Sequence, residues 1–483
     1  MKRFLMLVLL LAFIIDSPAC TRRDEAEKPR EQPTPITLEQ PRGGIYRRPL
    51  GNDPTSLDPA RITDYYAVTV ANQVFDGLVE FDAHLNVLPA LAQSWSASRD
   101  GLVWTFHLRQ GVQFHNGREL VAGDVVYSLS RFLDPAIGSS RSWFLEKVQG
   151  AAEFQAGKTK EIEGIRAVDR YTLQIMLSEP FSPFISMLGL PHLSVVPREE
   201  VERSGPDFAT APVGTGPFRF VRWKRGHEII LASNERYFRG RPPLDRVKFV
   251  IFPGEARSAM LEAFERGELE ETLIPPNRRK ELLESSHYKV VRKPTLSLLL
   301  LGFNLERPPF DKLEVRQALN YAIDKVRINR EIRGDMFVVA RGILPPGMPG
   351  YNPEVQGYDY NPGRARELMA QGGHSEKKEV APVALATSAK SAVARQDYEV
   401  VRQYLASIDV QLDLQALEDW PTFQRALQRG ESQIFRYAWY ADYPDADNFL
   451  YFLFHSATCQ ALPRGRAAHL ERCTRGDVAA LYV

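Results

Sequence analysis

Hydrophobic patterns of period two and of helical period interleave along the whole body of this chain, and that mixture constrains its fold more than any other feature. Leu102-Val103-Trp104-Thr105-Phe106-His107-Leu108 alternates apolar and polar residues, which predicts a half-buried strand running to a turn at Gly111. A second strand is predicted over 171–177, and 218–223, 228–231 and 247–251 read as neighbours in one sheet. Helical spacings lie between and after them. The stretch 255–266 stops before Gly267, and 313–323 places Val315, Leu319 and Ala322 on one stripe with Leu313 and Ile323 beside it. Asn361-Pro362 predicts the N-cap and first-turn proline of a helix that ends before Gly372. Residues 393–408 predict a further helix leading into a strand at 411–414, and 434–440 reads as a strand. No period of roughly 20–50 residues recurs, which argues against a solenoid or propeller. The chain reads as a mixed α/β (α+β) protein of several lobes, and its 483 residues suffice for about three structural units.

Charge excludes one class of partner. Lys plus Arg is 61 and Asp plus Glu is 60, and this balance argues against a nucleic-acid binder, which needs a basic surface. Three cysteines are too few for a disulfide scaffold and lack zinc-ribbon spacing. At the N-terminus, Lys2 and Arg3 precede 12 apolar residues, Phe4 to Ile15, short of the roughly 20 that a spanning helix needs. Small residues and Cys20 follow, so 1–19 reads as a cleavable export signal. Ala19-Cys20 resembles a bacterial lipobox, with Ser17 where Leu is usual, and this implies lipidation of Cys20 and a membrane anchor. Ordinary secretion with cleavage near Ala19 is the alternative. Residues 20–42, with Pro29, Pro33, Pro35 and Pro41 among charges, read as a flexible tether.

A series of motifs then accumulates. Thr55-Ser56-Leu57-Asp58-Pro59 is followed by Val74-Phe75-Asp76-Gly77-Leu78-Val79, Leu88-Pro89-Ala90-Leu91-Ala92-Gln93-Ser94-Trp95, and Asp100-Gly101 leading through the 102–108 strand to Gly111-Val112-Gln113-Phe114-His115-Asn116-Gly117. Ala122-Gly123-Asp124-Val125-Val126-Tyr127-Ser128, Val213-Gly214-Thr215-Gly216-Pro217-Phe218, Val315-Arg316-Gln317-Ala318-Leu319, Tyr321-Ala322-Ile323-Asp324 and Trp439-Tyr440-Ala441-Asp442-Tyr443-Pro444-Asp445 continue the order. Over about 43–456 the chain resembles the large periplasmic solute-binding proteins of the peptide/nickel class, family 5, which serve ABC importers.

The resemblance implies a two-lobed periplasmic-binding-protein-like fold with an extra smaller domain and a ligand cleft between the lobes. It places domain I at 43–75 and 194–293, the smaller domain II at 76–193, and the distal domain III at 294–456. It implies a monomer outside the cytoplasm, in the periplasm or cell envelope, that binds short peptides and delivers them to a permease and ATPase complex, without catalysis. A nickel chelate, haem, an opine or an oligosaccharide is the alternative ligand. In peptide-binding relatives the aspartate of the Trp-x-Ala-Asp-Tyr block takes the peptide ammonium, and Asp442 stands there; a turn aspartate before Pro444 is the plain alternative. Trp439 and Tyr440 belong to the same block. If the strand stays extended, Arg436, Ala438, Tyr440 and Asp442 share one face, with Arg436 and Asp442 at most roughly 20 Å apart. Arg436 is then a candidate for the peptide carboxylate, or a solvent-facing strand arginine, and the backbone of Ala438 and Tyr440 is placed to pair with the peptide. Thr63 and Tyr65 follow a block whose analogous loops touch ligand in relatives.

No catalytic or cofactor motif competes with this reading. Gly214-Thr215-Gly216 begins like a dinucleotide fingerprint, but Arg219 stands where the third glycine is needed. There is no Walker A loop, no Gly-x-Ser-x-Gly elbow and no His-Glu-x-x-His, and the nine histidines are scattered. No metal site or cofactor is expected. Residues 457–483 depart from the family pattern, which implies a frameshifted or truncated, non-functional relative or, alternatively, a Cys459–Cys473 disulfide. A lost closing segment would leave a sheet edge unpaired in the first domain.

Overall fold

The computed structural model describes residues 42–374, 382–387, 392–417, 420–454 and 479–482. The expected export signal and Cys20 lie outside the described residues, as do Cys459 and Cys473. Among the described residues no helix is long and apolar enough to cross a membrane, and no group of three or more His, Cys, Asp or Glu side chains is arranged to hold a metal.

Three of the expected strands lie side by side. The first sheet runs in the order Ile45–Leu50, Arg246–Ile251, Glu228–Ser233, Phe218–Lys224. Its first pair is parallel, with Tyr46 opposite Val247, and the other pairs are antiparallel. Helix Tyr65–Val74 buries Ala67, Val70, Ala71 and Val74 in the same core as Leu231 and Phe249. Asp64 starts this helix, its carboxylate accepting the Ala67 N–H at 2.8 Å, which satisfies one of the orphan donors of the first turn. The outer edge of Ile45–Leu50 is not bare at Arg47, whose carbonyl accepts the Glu270 N–H at 2.9 Å.

The second sheet is antiparallel throughout, in the order Ala92–Ala97, Val103–Leu108, Thr172–Met176, Ile165–Ala167. Trp104, Phe106 and Leu108 are buried while His107 is exposed, as the alternation requires. Helix Ala122–Leu133 joins this core through Val125, Leu129 and Phe132. Asp124 anchors the helix start by accepting the Val121 N–H at 2.9 Å and the Arg118 guanidinium at 2.7 Å.

The third sheet runs Leu412–Ala416, Val383–Thr387, Ile434–Tyr440, Ser297–Phe303, Ala479–Tyr482. Val383–Thr387 is parallel to both neighbours and Ser297–Phe303 antiparallel to both of its own. The run of four leucines, 298–301, alternates between two cores, which is why this strand reads as continuously apolar. Leu299 and Leu301 pack with Val315, Leu319, Leu368 and Leu405, from the helices Leu313–Ala322, Pro362–Gln371 and Ala392–Ala406. Leu298 and Leu300 pack with Phe423, Phe449 and Leu453. Asn361 caps Pro362–Gln371 by accepting the Arg364 N–H at 2.9 Å, and Gly372 ends it. Ala479–Tyr482, from the unusual tail, covers the outer edge of Ser297–Phe303, with Tyr482 opposite Leu299.

The chain passes from the first core to the second at Val74-Phe75-Asp76, and the Gly214-Thr215-Gly216 turn packs on that passage. A Cβ on Gly214 would lie 2.2 Å from the Val74 carbonyl oxygen, and one on Gly216 would lie 2.5 Å from the Val74 carbonyl carbon, so neither position accepts a side chain. These glycines serve close backbone approach rather than phosphate binding. Gly216 N–H donates to the Val74 carbonyl at 2.9 Å. Thr215 Oγ1 donates to Asp76 at 2.6 Å and the Tyr237 hydroxyl donates to it at 3.0 Å. Burial pushes the Asp76 carboxyl up from 3.8 to about 6, against the lowering effect of those two donors.

A carboxyl raised in this way makes the native state hold its proton more tightly than the unfolded chain does. The associated stability is complete below about pH 4 and is lost as the pH rises through about 6. Asp76→Asn should remove this decline, which for the stated shift is on the order of 3 kcal/mol between pH 4 and 7. Denaturant midpoints measured across that range test it, and a slope equal to that of the unmodified protein would place the pH dependence elsewhere.

Candidate functional site

The strand Ile434–Tyr440 is rich in aromatic residues and is half of the site. Phe435 and Tyr437 enter one core, with Trp439 packed against it, and Ile434 enters the other, with Ala438 packed against that one. The strand ends where the Ala441 N–H donates to the Leu296 carbonyl at 2.8 Å. The chain then turns through Asp442-Tyr443-Pro444-Asp445 into helix Asp447–Phe454. Asn448, fully buried, ties the turn together: its Oδ1 accepts the Trp439 indole N–H at 3.0 Å and the Asp442 N–H at 3.1 Å.

Asp442 is therefore both a turn aspartate and a charged group largely withdrawn from water, with 20% of its side chain exposed. Arg141, which follows the second core's helix Ala122–Leu133, pairs with it through Nη1. Burial pushes the Asp442 carboxyl up, and the Arg141 guanidinium opposes that shift. The pair is flanked by aromatic contacts between the same two regions. The Trp143 ring lies 6.2 Å from Tyr443 and 5.4 Å from Phe452, and Tyr443 is 1% exposed within the second core. His192 is largely buried, edge-on to Phe144 at 5.6 Å. Burial and the Arg141 charge lower it to about 4, so it is neutral at neutral pH.

The expected shared face does not extend to Asp442, because the backbone leaves the strand after Tyr440. Arg436 is neither solvent-facing nor paired with Asp442. It lies 3.8 Å from Asp397 on helix Ala392–Ala406, and Asp397 also pairs with Arg333. Tyr440 is 68% exposed. Ala438 and Tyr440 pair with Leu299 and Ser297 on one side. On the other side the pairing with Val383–Thr387 ends at Ala386 and Phe435, so among the described residues no strand lies along that edge from Ala438 to Tyr440. Thr63 and Tyr65 flank the Asp64 cap on the first core. Both are exposed, and among the described residues no hydrogen bond or ion pair joins them to Asp442. Sequence reasoning missed Arg141, Asn448 and Asp397. Asn448 carried a faint signal as a polar residue, next to Asp447, at the head of an otherwise apolar helix; Arg141 stands among Ser139, Ser140 and Ser142 and carried none.

A cavity of about 600 Å³ opens elsewhere, beside the buried Asp58–Arg131 pair, and its walls include Tyr127, Asp134, Phe154 and Glu202. Asp442 and Arg436 do not line it.

Residues 86–460 match the family described as bacterial extracellular solute-binding proteins, family 5 Middle. The chain is similar to the haem-binding protein A of Haemophilus influenzae, 32% identical over 417 residues that cover 82% of this chain and 74% of the relative. It is 29% identical over 415 residues to the dipeptide-binding protein of Escherichia coli, covering 82% and 76% of the two chains. Among solved structures it resembles the ABC transporter-associated periplasmic binding protein DppA of Helicobacter pylori in complex with the peptide STSA. That likeness has a TM-score of 0.66 and 29% identity, over 87% of this chain and 83% of that one.

The Arg333–Asp397–Arg436 group gives a direct test of what holds Arg436. Asp397→Ala removes the carboxylate shared by two largely buried guanidinium groups and should destabilise the protein by about 3–5 kcal/mol. The expected readout is a lower urea midpoint at unchanged slope; a change under about 0.5 kcal/mol would mean that both arginines are satisfied by water.

Proposed function

The chain belongs to the bacterial extracellular solute-binding proteins of family 5, and on that premise we propose that it captures short peptides for an ABC importer and delivers them to the importer's permease and ATPase. The family is one of binding proteins, so affinity and release are the whole task. The proposed molecule is a monomer, exported by residues 1–19 and tethered outside the cytoplasm through an acylated Cys20 and the linker to 42. Its proposed domains are 43–75 with 194–293, then 76–193, then 294–456, with the ligand cleft between the lobes.

The observation that carries this reading is the edge from Ala438 to Tyr440, which no described strand lies along and which ends at the largely buried Asp442. A peptide laid along that edge gains main-chain hydrogen bonds from Ala438 and Tyr440 that do not depend on its side chains. Its ammonium reaches Asp442, a carboxylate that is paired with Arg141 and whose two oxygens have acceptor capacity for a second cation. Trp439 acts through Asn448, which fixes the Asp442 backbone. Arg436 is the proposed partner of the peptide carboxylate, and Thr63 and Tyr65 approach from the first core when the lobes close.

Titration calorimetry with a short peptide and its N-acetylated twin tests the reading. The free peptide should bind, and acetylation or Asp442→Asn should each weaken binding about 100-fold, close to 2.7 kcal/mol. Affinity should also fall as the pH drops, because protonation removes the Asp442 charge, and the fall should begin above the ordinary carboxylate range because burial raises this group. Equal affinity for the acetylated twin would remove Asp442 from the site. Stabilisation by haem and by no peptide would replace the peptide reading with the ligand for which the Haemophilus influenzae relative is named.

A further inference from the structure

The motif Thr55-Ser56-Leu57-Asp58-Pro59 takes no part in the peptide reading, yet its aspartate lies in the wall of the cavity of about 600 Å³. That volume falls within the roughly 300–1,000 Å³ common for small-molecule sites. The wall is drawn from both of the first two cores, Val201 from the first and helix Ala122–Leu133 from the second. Its charged groups are unequally engaged. Asp58, 3% exposed at its side chain, is held from two sides by Arg131, with Nη1 donating to Oδ1 at 2.7 Å and Nη2 to Oδ2 at 2.6 Å. Glu202 accepts the Arg198 Nε–H at 2.6 Å, and Asp134 accepts the Ala136 N–H at 2.8 Å within its own turn. Arg61 differs from all of these. Its Nε stands 3.7 Å from Asp58 Oδ2, beyond hydrogen-bond reach, and its guanidinium donates no hydrogen bond among the described residues. Arg131 uses two of its five N–H donors on Asp58. The hydroxyls of Tyr127 and Ser130 also line the cavity and make no hydrogen bond among the described residues. The lining is therefore rich in unused donors, while Ile137, Phe154 and Pro206 supply apolar wall.

We propose that this cavity is a binding site for a small organic acid, one carboxylate on a compact apolar body, such as an arylacetate or a branched alkanoate. The carboxylate lies on Arg61 and extends the row Arg131, Asp58, Arg61 by one further anion, so that each charge faces the opposite sign. The planar guanidinium offers paired donors that match the two carboxylate oxygens. The apolar body lies against Phe154 and Ile137 and removes their surface from water. An amine of the same shape meets two guanidinium groups and only carboxylates that already hold a donor. Neither Asp442 nor Arg436 lines this cavity, so the acid is held in addition to a peptide rather than in its place, and the inference does not rest on the peptide reading.

The test is titration calorimetry of the full chain with phenylacetate, with its uncharged isostere phenylacetamide, and with the amine phenethylamine. Phenylacetate should bind at least about tenfold more tightly than phenylacetamide, with the amine weakest. Arg61→Gln should bring the acid down to the affinity of the amide. Ala209→Phe, which fills the cavity and leaves every charge in place, should weaken acid and amide alike by at least about tenfold. Thermal unfolding of each variant shows that a loss of binding is not a loss of fold. A peptide added to the complex should leave phenylacetate bound, and displacement by the peptide would put the acid on the peptide edge and overturn the proposal. Absence of phenylacetate binding, equal affinity for acid and amide, tighter binding of the amine, or an acid preference that survives Arg61→Gln would each overturn it as well. None of those four outcomes touches the peptide reading.

Discussion

An ionised carboxylate taken out of water needs a counter-charge or a set of hydrogen-bond donors, and the Arg141–Asp442 pair is where this protein supplies the counter-charge across two of its cores. Leaving the Asp442 carboxylate alone at such a site costs several kcal/mol, a large share of the roughly 5–15 kcal/mol that a folded domain commonly holds in reserve. The contact is reinforced by packing. Tyr443, one residue after Asp442, sits 1% exposed in the second core, and Trp143, two residues after Arg141, meets Tyr443 and Phe452. Charge and aromatic contact thus bind the same two short segments, so the position of the Asp442 turn depends on the second core as much as on the strand that precedes it.

The junction between the first and second cores is built on a different principle. There the backbone of Val74 is approached at distances that exclude a Cβ, and the approaching residues are Gly214 and Gly216. Thr215, between them, points its hydroxyl at Asp76 instead, so one turn supplies both the close approach and the donor that a buried carboxylate needs. His115 reinforces the turn, its ring nitrogens facing the Gly214 N–H at 3.3 Å and the Gly216 carbonyl at 3.0 Å. Burial lowers this histidine to about 4, which keeps the ring neutral near neutral pH and lets it donate through one nitrogen and accept through the other.

Much of the fold was legible because local pattern and burial agree. The alternation in Val103–Leu108 follows the alternating burial of Trp104, Phe106 and Leu108, and Asn361-Pro362 caps a helix because a side-chain acceptor and a fixed φ are both needed there. The site was legible only in part. Asp442 was found through its block, and its turn through Pro444, yet the extended geometry that would align it with Arg436 stops at Tyr440. The last ladder bond runs from the Ala441 N–H to Leu296, and beyond it the Asp442 N–H goes to the Asn448 side chain instead, a partner that the alternation of the strand does not encode. Arg141 was invisible for the same reason: an arginine among serines reads as surface until the partner that buries it is known. Asp397 looked like one more charge on an amphipathic helix, although it faces two arginines from other elements.

These arrangements bear on how such a fold changes its ligand without changing itself. Fold alone does not select what is bound, and pairing along a strand edge is indifferent to side chains. Discrimination then falls to the charges at the ends of that edge. In this chain the charge at the Asp442 end is a pair drawn from two cores, so the anionic half is fixed by the strand that forms the edge and the cationic half arrives with the second core. On the proposed reading, a substitution at Arg141 changes the charge that a ligand meets beside Asp442 while the strand edge itself is untouched. On that reading, the charge met at this end is then shaped by a residue outside the strand and outside the motif that marks it.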